Sequence, residues 1–248
     1  MRIILLLIFF QGFLQFGLTQ VHSKLEVPTY GKNDTIVQHT GYCVSYNHRY
    51  KQANWVAYQL TALETIKVVD RENKFKADPL ILETNLAKDY SKSGYDRGHL
   101  APSADMTYSR TTMLESFYYS NMSPQAPLFN RNIWNDLEEL TRTWAKEYDS
   151  LYIVVGPVLG DSLSAIGPHK VAVPKYYYKV ILDNQKNKEK AIAFIMKNEG
   201  SSLSLKTFVV SIDEIELLTG IDFFPKLENT LEKHLESKKC LECWKWGK

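Results

Sequence analysis

The clearest periodicity in the chain runs from Asn130 to Lys146, where Ile133, Leu137, Leu140 and Trp144 recur at spacings of four, three and four residues. That stripe predicts an amphipathic helix with a single apolar face. Elsewhere the apolar residues gather in short β-rich runs. Residues 42–46 and 54–60 read as an antiparallel pair joined by the turn-like stretch 47–51. Residues 151–155, closed by Gly156-Pro157, read as a buried strand, and 175–182 and 191–196 flank a polar connection and predict a hairpin. Ser211 stands as an N-cap with Glu214 three residues on and Gly220 as the stop, so a short helix is expected between them. Residues 70–94 mix charges with Asp78-Pro79 and predict irregular chain. No internal repeat is visible. Strands and helices cluster rather than strictly alternate, so the expected fold class is α+β, with a central, mainly antiparallel sheet flanked by helices.

The amino terminus follows another pattern. Met1-Arg2 precedes an apolar run that continues to Leu18, and Val21-His22-Ser23 supplies the residues a signal peptidase reads. Cleavage after Ser23 is expected, leaving a mature chain from Lys24 that is secreted or periplasmic and has no stable membrane association. The alternative is an uncleaved anchor, because the run approaches the roughly 20 residues a span needs. Behind the leader (1–23) come a polar lead-in (24–39), the main domain (40–228) and a basic, Trp-containing tail (229–248).

Composition narrows the options. With 248 residues, 44% apolar and 23% charged, the chain is an ordinary folded protein rather than a disordered one. Lys and Arg number 30 against 28 Asp and Glu, which excludes a globally basic nucleic-acid binder and makes any cationic surface local. The three cysteines, Cys43, Cys240 and Cys243, cannot all pair within one chain. For Cys240-Leu241-Glu242-Cys243, a disulfide in an exported protein is favoured over a zinc or redox site, with the pairing left open. Tyr176-Tyr177-Tyr178 alternates faces in a strand, which favours packing over a base-stacking platform. Asn33 and Asn121 begin glycan-acceptor triplets.

The densest chemistry lies at Gly94-Tyr95-Asp96-Arg97-Gly98-His99. Histidine is suited to take a proton from water near neutral pH, and Arg97 can neutralise an oxyanion beside it. Gly98 is expected to let the backbone turn sharply between them. Downstream, residues 130, 134, 138 and 142 climb one side of the predicted helix, so Asn130, Glu138 and Arg142 share a surface. An amide oxygen and a carboxylate are hard ligands suited to Mg²⁺, and Arg142 adds charge for a phosphate. The plainer reading is a solvated face with a Glu138–Arg142 surface pair.

Asp96-Arg97-Gly98-His99, followed by Asn121 and the 130–138 segment, resembles the ββα-metal family of DNA/RNA non-specific endonucleases, which includes secreted bacterial nucleases and endonuclease G. The resemblance extends over about residues 40–228, through 53–58, Val155-Gly156-Pro157 and 211–225. It implies the ββα-metal fold and hydrolysis of DNA and RNA phosphodiesters without sequence specificity, leaving 5′-phosphate ends. It implies further that His99 is the general base and that Asn130 is the direct protein ligand of one hydrated Mg²⁺, Mn²⁺ being the alternative ion. Glu138 would hold the metal's waters, Arg97 and Arg142 would face the scissile phosphate, and Asn121 would lie near the metal or support His99. Arg71, Lys74 and Lys76 are candidates for a further phosphate contact, and spacing does not choose among them. A homodimer and an unidentified protein inhibitor are partners the resemblance allows. The competing function is a catalytically inactive relative that binds polyanions or a protein.

Overall fold

The computed structural model describes residues 24–32, 34–82 and 86–247; the leader and the Asn33 acceptor site lie outside them. Seven strands form one antiparallel sheet in the order β1-β2-β3-β6-β9-β10-β11. They are β1 (Thr35–Gln38), β2 (Cys43–Asn47), β3 (Gln52–Thr61), β6 (Ser150–Pro157), β9 (Tyr176–Asp183), β10 (Lys190–Lys197) and β11 (Val209–Val210). A separate two-stranded ribbon pairs β4 (Asp96–His99) with β5 (Met122–Gln125), and a small one pairs β7 (Ala165–Ile166) with β8 (Val171–Ala172). The helices are α1 (Ala87–Tyr90), α2 (Arg110–Ser116), α3 (Trp134–Tyr148), α4 (Ile212–Thr219) and α5 (Asn229–Glu236).

Both faces of the sheet are covered, and strand alternation shows why. On β6, Ile153 and Val155 join one core cluster while Val154 joins the other. The first cluster takes in Ile133, Leu137 and Trp144, with Leu140 packed against it, which is the stripe read from the sequence, and Trp134 of α3 joins them. The second takes in Ile212 and Ile215 of α4 and Leu235 of α5. The tyrosine run obeys the same rule: Tyr177 stacks on Phe129 at 5.3 Å, whereas Tyr178 packs edge-on against Phe223 at 5.6 Å on the opposite face.

The α4 signals are realised in full. Ser211 and Glu214 form a reciprocal capping box, and Gly220 ends the helix at φ 70°, a conformation that favours glycine. The hairpin, the β2–β3 pair and the buried β6 also lie where the pattern puts them. Three regions differ from the sequence reading. The segment 70–94, expected to be irregular, holds the one-turn helix α1. The lead-in contributes β1, an edge strand paired in register with β2. The tail is part of the fold: Trp244 is buried with its ring 4.5 Å from Trp144, and the Trp144 indole N–H donates to the Lys245 carbonyl (2.5 Å). Cys240 and Cys243 form a disulfide and Cys43 is a buried free thiol. Among the described residues, no helix is long and apolar enough to cross a membrane.

Candidate active site

The β4–β5 ribbon followed by α3 brings the motif residues together. Backbone pairing sets His99 opposite Met122, Gly98 opposite Ser123 and Arg97 opposite Pro124. Proline is tolerated in β5 because this is a two-stranded ribbon with open edges. Gly98 is an ordinary strand residue without a left-handed backbone, so the expected sharp turn is not its role. Glycine is required there for space, since a Cβ would overlap the side chain of Gln125.

His99 is buried, with Phe117 edge-on to its ring at 4.9 Å and Phe75 at 5.8 Å. Its Nε2 has no hydrogen-bond partner among the described residues. Burial, reinforced by the charges of Arg71 and Arg97, pushes its pKa from 6.5 down to about 3. The imidazole is therefore neutral at physiological pH, the form whose unprotonated ring nitrogen can act as an acceptor. Arg97 is exposed and stacks over Phe75, 4.1 Å from the ring centroid. Arg71 reaches the same place: it lies over Phe117 at 5.1 Å and donates from Nε to Asn73 (2.7 Å) and from Nη1 to Ser103. Lys74 is paired with Glu72 and Lys76 lies over Tyr118, so of these three cations Arg71 is the one beside His99.

Asn121 is fully buried, and its amide is committed to the backbone. Nδ2 donates to the carbonyls of Ala101 and Ser116 (2.9 Å each), and Oδ1 accepts from the Ala101 N–H (2.8 Å). These bonds fix the chain at Ala101, two residues beyond His99. A fully buried asparagine also has no room for a glycan in the folded protein.

Asn130 sits in a π-helical turn, Phe129–Ile133, that leads into α3. Such turns interrupt the regular ladder and are frequent at functional sites. Its Nδ2 donates to Asp96 Oδ2 (2.9 Å), which orients the amide and leaves Oδ1 as the oxygen to offer. Asp96 also takes two bonds from Arg131, at 2.9 and 2.7 Å. Burial alone would raise the Asp96 carboxyl, but the bonds from Arg131 and Asn130 hold it below its ordinary value. Asp96 thus ties the His99 strand to the Asn130 turn. It was visible as the first residue of the motif, yet nothing in the sequence gave it a partner.

The helix face carrying Glu138 and Arg142 is not the solvated face of the plainer reading, since Trp134 between them and Asn130 is fully buried. Arg142 pairs with the buried Asp105 (2.8 Å), whose other oxygen accepts from Tyr58 (2.8 Å). Asp105 lies in a 3₁₀ turn whose approach to α3 no local pattern announces. Glu138 is half-buried. Burial pushes its carboxyl upward against the opposing charge of Lys179, with Asp105 adding to the rise and Arg142 and Arg71 countering it. Lys179 itself is fully buried on β9, 5.2 Å from the Trp134 ring. The assembly is a neutral base beside two arginines, on a strand clipped to an amide oxygen and a carboxylate. It can take a proton from water, bind an oxyanion and present hard oxygen ligands.

Comparison with known proteins points the same way. The model of the DNA/RNA non-specific endonuclease family matches residues 19–230. Nuclease C1 of Cunninghamella echinulata var. echinulata is 37% identical over 210 residues, which cover 77% of this chain and 83% of that protein. Human mitochondrial endonuclease G is 33% identical over 202 residues, 75% of this chain and 68% of that protein. Among solved structures, an EndoG/EndoGI complex, determined to explain EndoG inhibition, aligns with a TM-score of 0.75 at 32% identity, covering 81% of this chain and 89% of that one.

Proposed function

From the chain's membership of the DNA/RNA non-specific endonuclease family, we propose that this nuclease is a secreted, Mg²⁺-dependent enzyme that cuts DNA and RNA without sequence specificity and leaves 5′-phosphate ends. The observation that carries the mechanism is the unpartnered Nε2 of His99, buried between aromatic rings and kept unprotonated. His99 accepts the proton of the attacking water at that nitrogen. Arg97 and Arg71 bind the phosphate, their planar guanidinium groups matching its paired oxygens. Because these contacts are to the backbone of the substrate, they give affinity without base preference.

The residues present fit a hydrated Mg²⁺. Asn130 Oδ1 is an oriented hard oxygen, and Glu138 is a carboxylate able to hold metal-bound waters. When bound, the ion supplies charge stabilisation for the departing 3′ oxygen. Asp96 keeps Asn130 and the His99 strand in mutual register, and Arg142, locked by Asp105, adds positive charge to the same wall. Leader cleavage after Ser23 supplies the secreted form. The inhibitor complex of the similar EndoG suggests a protein inhibitor as a partner class here.

The test is a Mg²⁺ titration of cleavage for wild type and Asn130→Ala. Loss of a direct ligand should weaken the metal dependence by more than the roughly 10–100-fold that outer-shell substitutions cost. An unchanged midpoint removes Asn130 from the metal site.

A further inference from the structure

Across the sheet from the nuclease centre, α4, α5 and the chain between them bring five carboxylates together. Side-chain oxygens of Asp213, Glu216 and Glu236 lie within 4.8 Å of one another, and so do those of Asp222, Glu232 and Glu236. Helical spacing accounts for the convergence: residues 213 and 216 are three apart on α4, 232 and 236 four apart on α5, and each pair shares a face. Like charges at such spacings repel and destabilise a helix, so the arrangement needs a counterion.

Among the described residues, Lys239 is engaged with Glu214 at 2.7 Å, and Lys233 puts positive charge on Glu232, while the charges that act on Glu216 and Glu236 are those of neighbouring acids. A second observation concerns the floor of the cluster. Glu236 is 7% exposed and its Oε1 has no hydrogen-bond partner among the described residues, as is also true of Glu232 Oε1. A buried carboxylate oxygen without a donor is costly unless a cation or a proton meets it. Glu216 has one oxygen occupied by the Phe223 N–H (2.9 Å). Asp213 and Asp222 are exposed and form the rim.

We propose that Asp213, Glu216, Asp222, Glu232 and Glu236 form a binding site for a hard divalent cation of the Ca²⁺ class, separate from the catalytic centre. Ca²⁺ accepts six to eight oxygens at about 2.4 Å, so ligands on opposite sides of its shell stand roughly 4.8 Å apart. Both carboxylate sets fall inside that diameter. Glu236 belongs to both, so a cation held by either meets the buried carboxylate that carries the orphaned oxygen. Carboxylates on two helices and a loop make an irregular, flexible cage, which suits Ca²⁺ better than Mg²⁺ with its strict octahedron and retained waters. The bound ion would pin α5 to α4 and thereby hold the carboxy-terminal part of the chain on the sheet.

The experiment is calorimetric titration of Ca²⁺, and separately Mg²⁺, into the whole mature chain carrying Asn130→Ala, which silences the nuclease metal. Thermal melts with and without each ion accompany it. The expected result is saturable Ca²⁺ binding with a raised melting temperature and at least tenfold weaker Mg²⁺ binding. Adding Glu236→Gln should weaken Ca²⁺ at least tenfold and abolish the shift, while Glu236→Gln in the otherwise native chain keeps nuclease activity. If Glu236→Gln does not fold, Asp213→Asn at the exposed rim serves, with at least a threefold loss expected. Absence of Ca²⁺ binding, equal affinity for both ions, or unchanged Ca²⁺ affinity in the folded variants overturns the proposal.

Discussion

Gly98 offers a quantitative test of how the site is built. Its backbone is not in the left-handed region, so Gly98→Ala imposes no conformational strain and acts only through the added methyl. That Cβ would fall closer than 3.0 Å to Cγ, Cδ and Oε1 of Gln125, a fully buried side chain with no room to swing outward. Relief to the ordinary carbon contact of about 3.5 Å therefore requires movement on the order of 1 Å, shared between β4 and Gln125. Overpacking of this kind costs about 1–3 kcal/mol of stability. Because β4 carries Arg97 and His99, a displacement of about 1 Å should lower turnover roughly 10²-fold. The partner change isolates the cause: Gln125→Ala deletes all three overlapping atoms, and both Gln125 amide atoms lack partners, so no hydrogen bond among described residues is lost. Plasmid nicking rates and thermal melts of the two single variants and the double variant complete the cycle. The double variant should recover most of the activity lost in Gly98→Ala, with a coupling of about 0.5–3 kcal/mol in stability. Additive losses, or wild-type nicking by Gly98→Ala, would refute the steric argument.

Two further outcomes follow from burial. In metal-free protein, the His99 ring resonances should not titrate between pH 5 and 8, because the folded pKa lies near 3 against 6.5 for the unfolded chain. Between about pH 3 and 6.5 the unfolded state binds the proton that the folded state refuses, so stability is fully present above about 6.5 and declines as pH falls toward 3. His99→Gln should accordingly lose less stability on acidification; an NMR midpoint near 6.5 contradicts the environment described. Trp244→Ala removes a side chain buried against Trp144 and Tyr148 and should destabilise the fold by about 3–5 kcal/mol in urea unfolding. The same variant should keep near-native turnover per folded molecule, and a loss below 1 kcal/mol would show that the tail is peripheral.

The parts of the fold legible in the sequence were those specified locally. The α3 stripe, the Ser211–Gly220 caps and the hairpin around residues 183–188 each carry their own signal, and each formed where the pattern put it. Within the site, His99, Arg97, Asn130, Glu138 and Arg142 stood out by residue type and helical phase. What remained hidden depends on contacts between distant segments. Arg71, Lys74 and Lys76 are equivalent in an irregular segment until packing of Arg71 on Phe117 selects it. The Arg142–Asp105 pair joins residues 37 positions apart, so helical spacing suggested Glu138 instead. Gly98 was read through its backbone freedom when a neighbour 27 residues later dictates it. The tail tryptophans lie in a short basic stretch with no periodicity, and their burial appears only once Trp144 meets them.

The central claim is most directly tested by digesting supercoiled plasmid, linear single-stranded DNA and RNA with the chain from Lys24 onward. Wild type and His99→Ala are compared, each in Mg²⁺ and in chelator. The account predicts that wild type cuts all three substrates only with the metal, and that His99→Ala cuts none while remaining folded and still binding nucleic acid. Cleavage by His99→Ala at wild-type rates, or a wild type that shifts the plasmid on a gel without cutting it, would contradict it.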